Sequence, residues 1–352
     1  MKAYDIAVLA GDGIGPEVVR EALKVLRCVE ERLDKVRFET HELSAGAGEY
    51  LRNGDPFPEE SFECANSCDA ILLGAMGMPD VRGPRGTEIA PQLDLRERLE
   101  LYCGLRPLRL FHEDLTPLRA YRRGEIDFLI VRENTEGLFF SRKQRYSSDD
   151  LEVRDILRIS RVGSERLFRA AFREAENRRG RLTLVDKSNV LPSMAFFREI
   201  FGQISAEFPE VQTERIYVDA ASLYLVQRPQ DFDVIVTENL FGDILSDLAA
   251  GLVGGMGLAP SADVGDHHGM FQPSHGSAPD IAGQGAANPL ATILSVAMML
   301  EWLEHPETLR GAAAIRQAVE GVLQESELRT RDLGGRLSTT EMGDRIVEAM
   351  EL

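Results

Sequence analysis

Long hydrophobic runs are absent from this 352-residue sequence, cysteine is scarce, and positive charge falls well short of negative. No run approaches the roughly 18 apolar residues that a membrane helix needs, so no membrane partner is expected. The opening Met1-Lys-Ala-Tyr-Asp-Ile-Ala-Val-Leu-Ala10 is too short and too interrupted for a signal-peptide core, and a cytoplasmic protein is expected. Lys and Arg number 40 against 58 Asp and Glu, a net charge of −18. That balance argues against nucleic acid as the main partner, because a phosphate backbone wants a basic surface. It also means that any anionic ligand needs a local basic pocket. The four cysteines are Cys28, Cys64, Cys68 and Cys103. They lack a second pair or a His at zinc-site spacing, so buried thiols are expected rather than a metal site or disulfides.

What is present fits a soluble enzyme-sized chain. An apolar fraction of 43% with 7% aromatics is ordinary for a globular protein, and the length suits two domains. Short apolar runs recur, each breaking into a polar or glycine-rich turn: Tyr4–Ala10, Ala70–Leu73, Phe128–Val131, Leu182–Val185, Ile216–Val218 and Val234–Val236. Between them lie stretches of helical period. Pro16–Leu33 is the clearest, with Pro16 suited to a first helical turn and Val18, Val19, Ala22, Leu23, Val25, Leu26 and Val29 forming an apolar stripe. Strands alternating with helices indicate an α/β protein. No internal repeat or low-complexity tract interrupts the pattern. The polar stretch Ser141–Glu152 reads as an exposed loop or as an arm reaching a partner subunit.

Arg132, Lys187, Asp219 and Glu238 each stand just beyond an apolar run, where open α/β sheets place ligand chemistry. Four such residues favour a shared cleft. In Asn239-Leu-Phe-Gly-Asp-Ile-Leu-Ser-Asp247 the carboxylates Asp243 and Asp247 are spaced i,i+4 and share one helix face, with Ile244, Leu245 and Leu248 expected to pack on the other. Such a pair suits a hard divalent cation. Alone, it reads first as a solvated acidic face.

Two glycine loops stand out. Gly11-Asp-Gly-Ile-Gly15 follows a strand and precedes a helix, but position 16 is Pro and the spacing is not the G-x-G-x-x-G of the Rossmann fold, which we reject on it. His275-Gly-Ser-Ala-Pro-Asp-Ile-Ala-Gly-Gln-Gly-Ala-Ala-Asn-Pro289 is a second loop. Its backbone N–H groups suit phosphate, and Asp280 suits a ribose diol. A plain surface loop is the other reading.

With these motifs in this order the chain resembles, nearly end to end, the metal-dependent β-decarboxylating dehydrogenases. That family includes isopropylmalate, homoisocitrate, isocitrate, tartrate and D-malate dehydrogenases. The carriers are Gly11-Asp-Gly-Ile-Gly-Pro-Glu17, Arg96 with Leu105-Arg-Pro107, Val131-Arg-Glu-Asn-Thr-Glu-Gly137, Lys187-Ser-Asn189 and Tyr217-Val-Asp219. The 239–247 segment, Gly255-Met-Gly-Leu-Ala-Pro-Ser261 and the 275–289 loop complete the set. The resemblance implies an isopropylmalate-dehydrogenase-like α/β subunit of two domains. One is discontinuous, from residues 1–99 and 252–352; the other, 100–251, carries dimer contacts and an intersubunit arm near 138–160. It further implies a homodimer whose sites lie between domains and share residues across the subunits, with Lys187 and Asp219 entering the neighbour's site.

By the same resemblance Arg96, Arg106 and Arg132 clamp substrate carboxylates, and forked guanidinium groups suit that task. Asn189 joins them as a substrate contact. Asp219, Asp243 and Asp247 hold Mg²⁺ or Mn²⁺, and Lys187 helps remove the 2-hydroxyl proton. His275, Gly276, Ser277, Ala278, Asp280 and Asn288 bind the adenosine end of the cofactor. Asp280 selects NAD, since a carboxylate repels the 2′-phosphate of NADP.

Two positions depart from the family pattern. Phe139 occupies the site of a proton-donating Tyr, and a phenyl ring donates no proton. Tyr146, in the arm, is a candidate substitute. Where relatives read the substituent on the substrate's C3, this chain has Ile89, Ala90, Pro91 and Gln92, and the polar Gln92 favours a malate- or tartrate-like acid. Asp332-Leu-Gly-Gly-Arg-Leu-Ser-Thr339 resembles the same branch. The leading expectation is therefore an NAD-dependent dehydrogenase of an (R)-2-hydroxy dicarboxylate such as tartrate or D-malate. Isopropylmalate dehydrogenase is the alternative within the family, and a catalytically degenerate binding or regulatory subunit the alternative outside enzymes.

Overall fold

The computed structural model describes residues 1–352 apart from Arg85. In chain order its elements begin with β1 (Lys2–Gly11), α1 (Gly15–Arg32), β2 (Val36–Glu42), α2 (Ala47–Asn53), α3 (Glu59–Ser67), β3 (Ala70–Ala75) and α4 (Pro91–Arg98). Then come β4 (Cys103–Arg109), β5 (Asp127–Glu133), α5 (Arg161–Glu176), β6 (Arg181–Asp186), α6 (Pro192–Ser205), β7 (Gln212–Tyr217), α7 (Val218–Gln227), β8 (Val234–Thr237) and α8 (Asn239–Leu252). The chain closes with β9 (Pro260–Val264), β10 (Gly269–Pro273), α9 (Leu290–Trp302), α10 (Pro306–Val322) and α11 (Thr339–Ala349). Two compact units result, one of Met1–Leu99 with Gly254–Leu352 and one of Glu100–Val253.

In the discontinuous unit the strands lie in the order β2-β1-β3-β10-β9, parallel except for the β10/β9 pair. β3 is buried along its whole length, which explains why its sequence is an unbroken apolar run rather than an alternating one. α1 buries Val18, Val19, Ala22, Val25, Leu26 and Val29, the stripe expected of it. α9 is buried from Leu290 to Leu300, a helix enclosed on all sides by α1, α10, β9 and β10. The Gly11-x-Gly-x-Gly15 turn is closed by the chain itself. Gly13 has φ +57°, a Cβ there would sit 1.9 Å from the Ser277 carbonyl oxygen, and the Ile14 N–H donates to that oxygen at 2.8 Å. The glycines thus serve a close approach of the 275–289 loop, not the pyrophosphate turn of a Rossmann fold.

In the continuous unit the order is β4-β5-β8-β6-β7, with β4 antiparallel to β5 and the rest parallel. Register pairs Arg132 with Thr237 and Thr237 with Val185. The ends of β5, β8 and β6 therefore lie side by side, and Arg132, Glu238 and Lys187 share one sheet edge. Behind the sheet, α5 and α6 pack through aromatics. Phe168 lies 4.5 Å from Phe197 and 5.2 Å from Phe201, and Phe172 stacks on Phe208 at 4.8 Å (centroid distances). The segment from Lys143 to Ile156 is exposed, with Tyr146, Leu151, Val153 and Ile156 open to solvent. All four cysteines are free thiols; Cys28, Cys68 and Cys103 are buried and Cys64 is half-buried. Burial and the neighbouring Cys64 push the Cys68 thiol up to about 12, so it is inert at neutral pH.

Phe168 is fully buried at the centre of the ring cluster. Replacing it by Ala is expected to cost about 3–5 kcal/mol in chemical denaturation, the usual scale for a buried ring lost from a packed core.

Candidate active site

The site in the continuous unit is built on Arg132, the penultimate residue of β5. Its side chain is only 3% exposed. Nε and Nη2 both donate to Asn239 Oδ1, at 3.2 and 2.7 Å, and Nη1 pairs with the Asp243 carboxylate. Asn239 is oriented in turn by donating to the Glu136 carbonyl at 3.1 Å. Gly242 makes the arrangement possible, since a Cβ there would stand 2.6 Å from Arg132 Cγ. The helix that carries Asp243 and Asp247 is α8, and Glu238 caps it by accepting from the Phe241 N–H at 2.8 Å. Burial raises the Glu238 carboxyl above its ordinary range.

Asp243 and Asp247 share a face of α8, as their spacing requires. Desolvation and the charge of Asp243 lift the Asp247 carboxyl above the usual carboxylate range, against the pull of Arg132 and Arg106. Arg106 is buried on β4. The expected apolar backing is only partly there: Leu245 is buried, but Ile244 is 58% exposed. Ile244 instead joins Leu223 and Val226 of the neighbouring α7 among the exposed apolar side chains.

Lys187 and Asp219 form a second cluster. Lys187 follows β6, Asp219 sits in the first turn of α7, and Nζ donates to Oδ1 at 2.6 Å. That hydrogen bond holds the Asp219 carboxyl below its ordinary range. Asn189 is exposed nearby in sequence. Asp219 is not brought to Asp243 and Asp247. Among the described residues no three His, Cys, Asp or Glu side chains are grouped to hold a metal ion. Phe139 places its ring centroid 5.4 Å from the Arg132 guanidinium carbon, a cation–π distance.

In the discontinuous unit Arg96 lies in the last turn of α4, buried, with Nε donating to Asp263 Oδ2 at 2.8 Å. Gln272 Nε2 donates to the same oxygen at 2.7 Å. Gln92 is one helical turn before Arg96, and its Oε1 is buried without a hydrogen-bond partner. The 275–289 loop is braced by its own unit. Glu17 accepts from the N–H groups of Gly283 and Gly285, and Ser277 Oγ donates to the Gly77 carbonyl at 2.6 Å. Asn288 donates to Asp332 at 3.0 Å and accepts from the Leu290 N–H. Gly276 and Asp280 are exposed, and Ala278 has φ +37°. His275 bonds Gly276 O through Nδ1 at 2.9 Å, and its buried Nε2 has no partner. Burial keeps the imidazole pKa below its ordinary value.

The donor sets fit the groups that the resemblance implies. Asp243 and Asp247 offer only carboxylate oxygens, the chemistry of Mg²⁺ or Mn²⁺ rather than of a thiophilic metal. The orphaned His275 nitrogen and the exposed Asp280 carboxylate leave polar atoms for a nucleoside.

The sequence model of the isocitrate/isopropylmalate dehydrogenase family matches residues 5–346. This chain belongs to the isocitrate/isopropylmalate dehydrogenase family. The 3-isopropylmalate dehydrogenase of Carboxydothermus hydrogenoformans is 44% identical, the match covering 98% of this chain and 94% of that one. The isocitrate/homoisocitrate dehydrogenase of Thermus thermophilus is 45% identical over 99% of both. Among solved structures, isocitrate dehydrogenase from Methylococcus capsulatus superposes with a TM-score of 0.88 at 37% identity, covering 98% of this chain and 99% of its own. Membership makes the protein a β-decarboxylating dehydrogenase acting on a CH–OH group.

Within this family member, Asp263, Gln272, Asn239 and Glu17 are positions to which motif reading gave no role. The available signal was a charge inside an apolar run: Asp263 interrupts Ala259–Val264, and a buried carboxylate demands a partner. His275 generates a prediction. Its folded pKa is depressed, so between that value and the unfolded value of about 6.5 the unfolded chain binds more protons. The stabilising effect of the neutral ring is full above about pH 6.5 and is lost as pH falls below it. Thermal unfolding of His275→Gln is expected to lose less stability than the parent between pH 7.5 and 5.5. Equal losses would show that His275 does not titrate abnormally.

Proposed function

We propose that the protein oxidises, and decarboxylates, a malate-type (2R)-2-hydroxy dicarboxylate using NAD and Mg²⁺ or Mn²⁺. The observation that carries this is the meeting of Arg132 with Asp243 on α8, with Asp247 in the field of Arg132 and Arg106. Anion clamps and a cation-binding carboxylate pair stand together, as a chelated dicarboxylate requires.

On this reading Arg96, Arg106 and Arg132 bind and orient the substrate's carboxylates. When bound, the metal ion supplies a Lewis acid at the 2-hydroxyl and NAD supplies the hydride acceptor. Lys187, fixed by Asp219, receives the hydroxyl proton. Because one copy does not gather Asp219 with Asp243 and Asp247, the metal set is completed by a second copy. The exposed Ile244, Leu223 and Val226 support that assembly, since an apolar face on α7 and α8 invites a like surface. The exposed 143–156 segment is the arm of the same dimer. Phe139 orders Arg132 through its ring face, and the proton that ends decarboxylation comes from elsewhere.

For the C3 substituent, the names of the relatives support 3-isopropylmalate, and we put that reading first. A second reading, tartrate or D-malate, is favoured by the buried unpartnered Gln92 Oε1, which suits a hydroxyl donor better than an isopropyl group.

A panel of 3-isopropylmalate, D-malate, the tartrates, isocitrate and homoisocitrate separates these readings, with NADH and CO₂ followed independently. NADH formation that needs Mg²⁺ or Mn²⁺ is expected with at least one acid. Metal-independent turnover, or none with any acid, would overturn the proposal, and the second result would favour a binding or regulatory subunit. Because Phe139 donates no proton, protonation of the enolate is slow on this reading, and Phe139→Tyr is expected to speed CO₂ release and full turnover; rates equal to the parent's would overturn that expectation. The cofactor choice has its own test. Asp280→Lys removes a repulsive charge and adds an attractive one, and should shift the NADP/NAD ratio of kcat/KM upward by about 10- to 100-fold, roughly 1.4–2.7 kcal/mol.

A further inference from the structure

Arg96 is a buried guanidinium, and a buried guanidinium without a fixed counter-charge is costly and free to turn. The counter-charge comes from far away in sequence. Asp263, on β9, is 0% exposed and accepts from Arg96 Nε at 2.8 Å. It does not stand alone. On the antiparallel β10, Met270 is opposite Asp263 and Gln272 lies diagonally from it. Gln272, itself buried, donates its amide to the Asp263 oxygen that Arg96 uses, at 2.7 Å. Two donors on one oxygen fix the carboxylate, and the carboxylate fixes the guanidinium by its Nε side. The terminal NH₂ groups are then the end of the fork offered to a ligand carboxylate. Gln92 lies on the same helical face one turn earlier.

We propose that Asp263, held by Gln272, is the positioning residue for Arg96 and thereby sets the affinity for the dicarboxylate. The proposal rests on the reading of Arg96 as a substrate clamp. Its chemistry is specific to one negative charge at this place. An amide at 263 leaves the guanidinium without a counter-ion and removes its orientation. A purely structural ion pair would show loss of stability without these changes in binding.

The test uses the full-length protein and whichever acid the panel identifies. Asp263→Asn should raise KM for the acid by about tenfold or more, the scale of one charge-assisted hydrogen bond misplaced. KM for the acid should rise by a larger factor than kcat falls, and KM for NAD should stay near the parent's. Gln272→Leu keeps the counter-charge but removes the second donor on that oxygen, and should raise KM for the acid by a smaller factor than Asp263→Asn does. Should Asp263→Asn fail to fold, Gln272→Leu decides by the same split between KM for the acid and KM for NAD. An unchanged KM for the acid in folded Asp263→Asn, or in Gln272→Leu, overturns the proposal. Failure of the parent to oxidise any acid is a separate result, which overturns the function and not the geometry.

Discussion

Both units depend on one constraint: a charge withdrawn from water must meet an opposite charge. The chain meets it by pairing cations with carboxylates. Arg132 meets Asp243, Lys187 meets Asp219 and Arg96 meets Asp263. A buried charge with no counter-ion would cost several kcal/mol in an interior of low dielectric. For Arg132 and Arg96, which are buried, the pairs allow a charge to be held at a strand end and in a helix turn, whereas Lys187–Asp219 is an exposed pair.

The folding pattern delivers these pairs. Parallel register places the ends of β5, β8 and β6 in one row, so a residue just past each strand shares an edge with its neighbours. The turn into α8 then aims Asn239 and Asp243 at Arg132, with Gly242 providing the clearance. In the other unit β9 runs antiparallel to β10, which sets Asp263 and Gln272 near each other and beneath Arg96. The glycine turn after β1 does a different task. Its φ > 0 residues let the 275–289 loop settle on the chain's own backbone, which explains why a motif of nearly Rossmann spacing belongs to another fold.

Much of this was legible in the sequence where the signal is local. The strands follow from short apolar runs that end in polar or glycine-rich turns, and the α1 stripe and the shared face of Asp243 and Asp247 follow from the 3.6-residue period. Motif order carried the family. What periodicity could not show is pairing at a distance. Arg96 and Asp263 are 167 residues apart, and nothing near either names the other. Ile244 misled for a related reason. An apolar residue beside Leu245 reads as core, yet the helix turns it outward. Periodicity assigns a face but does not say what covers it.

The Arg132–Asp243 contact links the two halves of the proposed chemistry. In the protein alone each side chain neutralises the other. On the proposed reading, a divalent cation taking Asp243 leaves Arg132 in need of an anion, and a dicarboxylate taking Arg132 leaves Asp243 in need of a cation. Neither ligand can displace the ion pair without uncovering a charge that the other ligand satisfies. Their binding free energies are then coupled, and by linkage the coupling is the same in both directions. Phe139 suits this arrangement. Its ring face attracts the guanidinium without adding a charge, so it steadies Arg132 without competing for Asp243. A hydroxyl at that place would bring a proton donor, but the balance between the arginine, the carboxylate and their ligands does not require one.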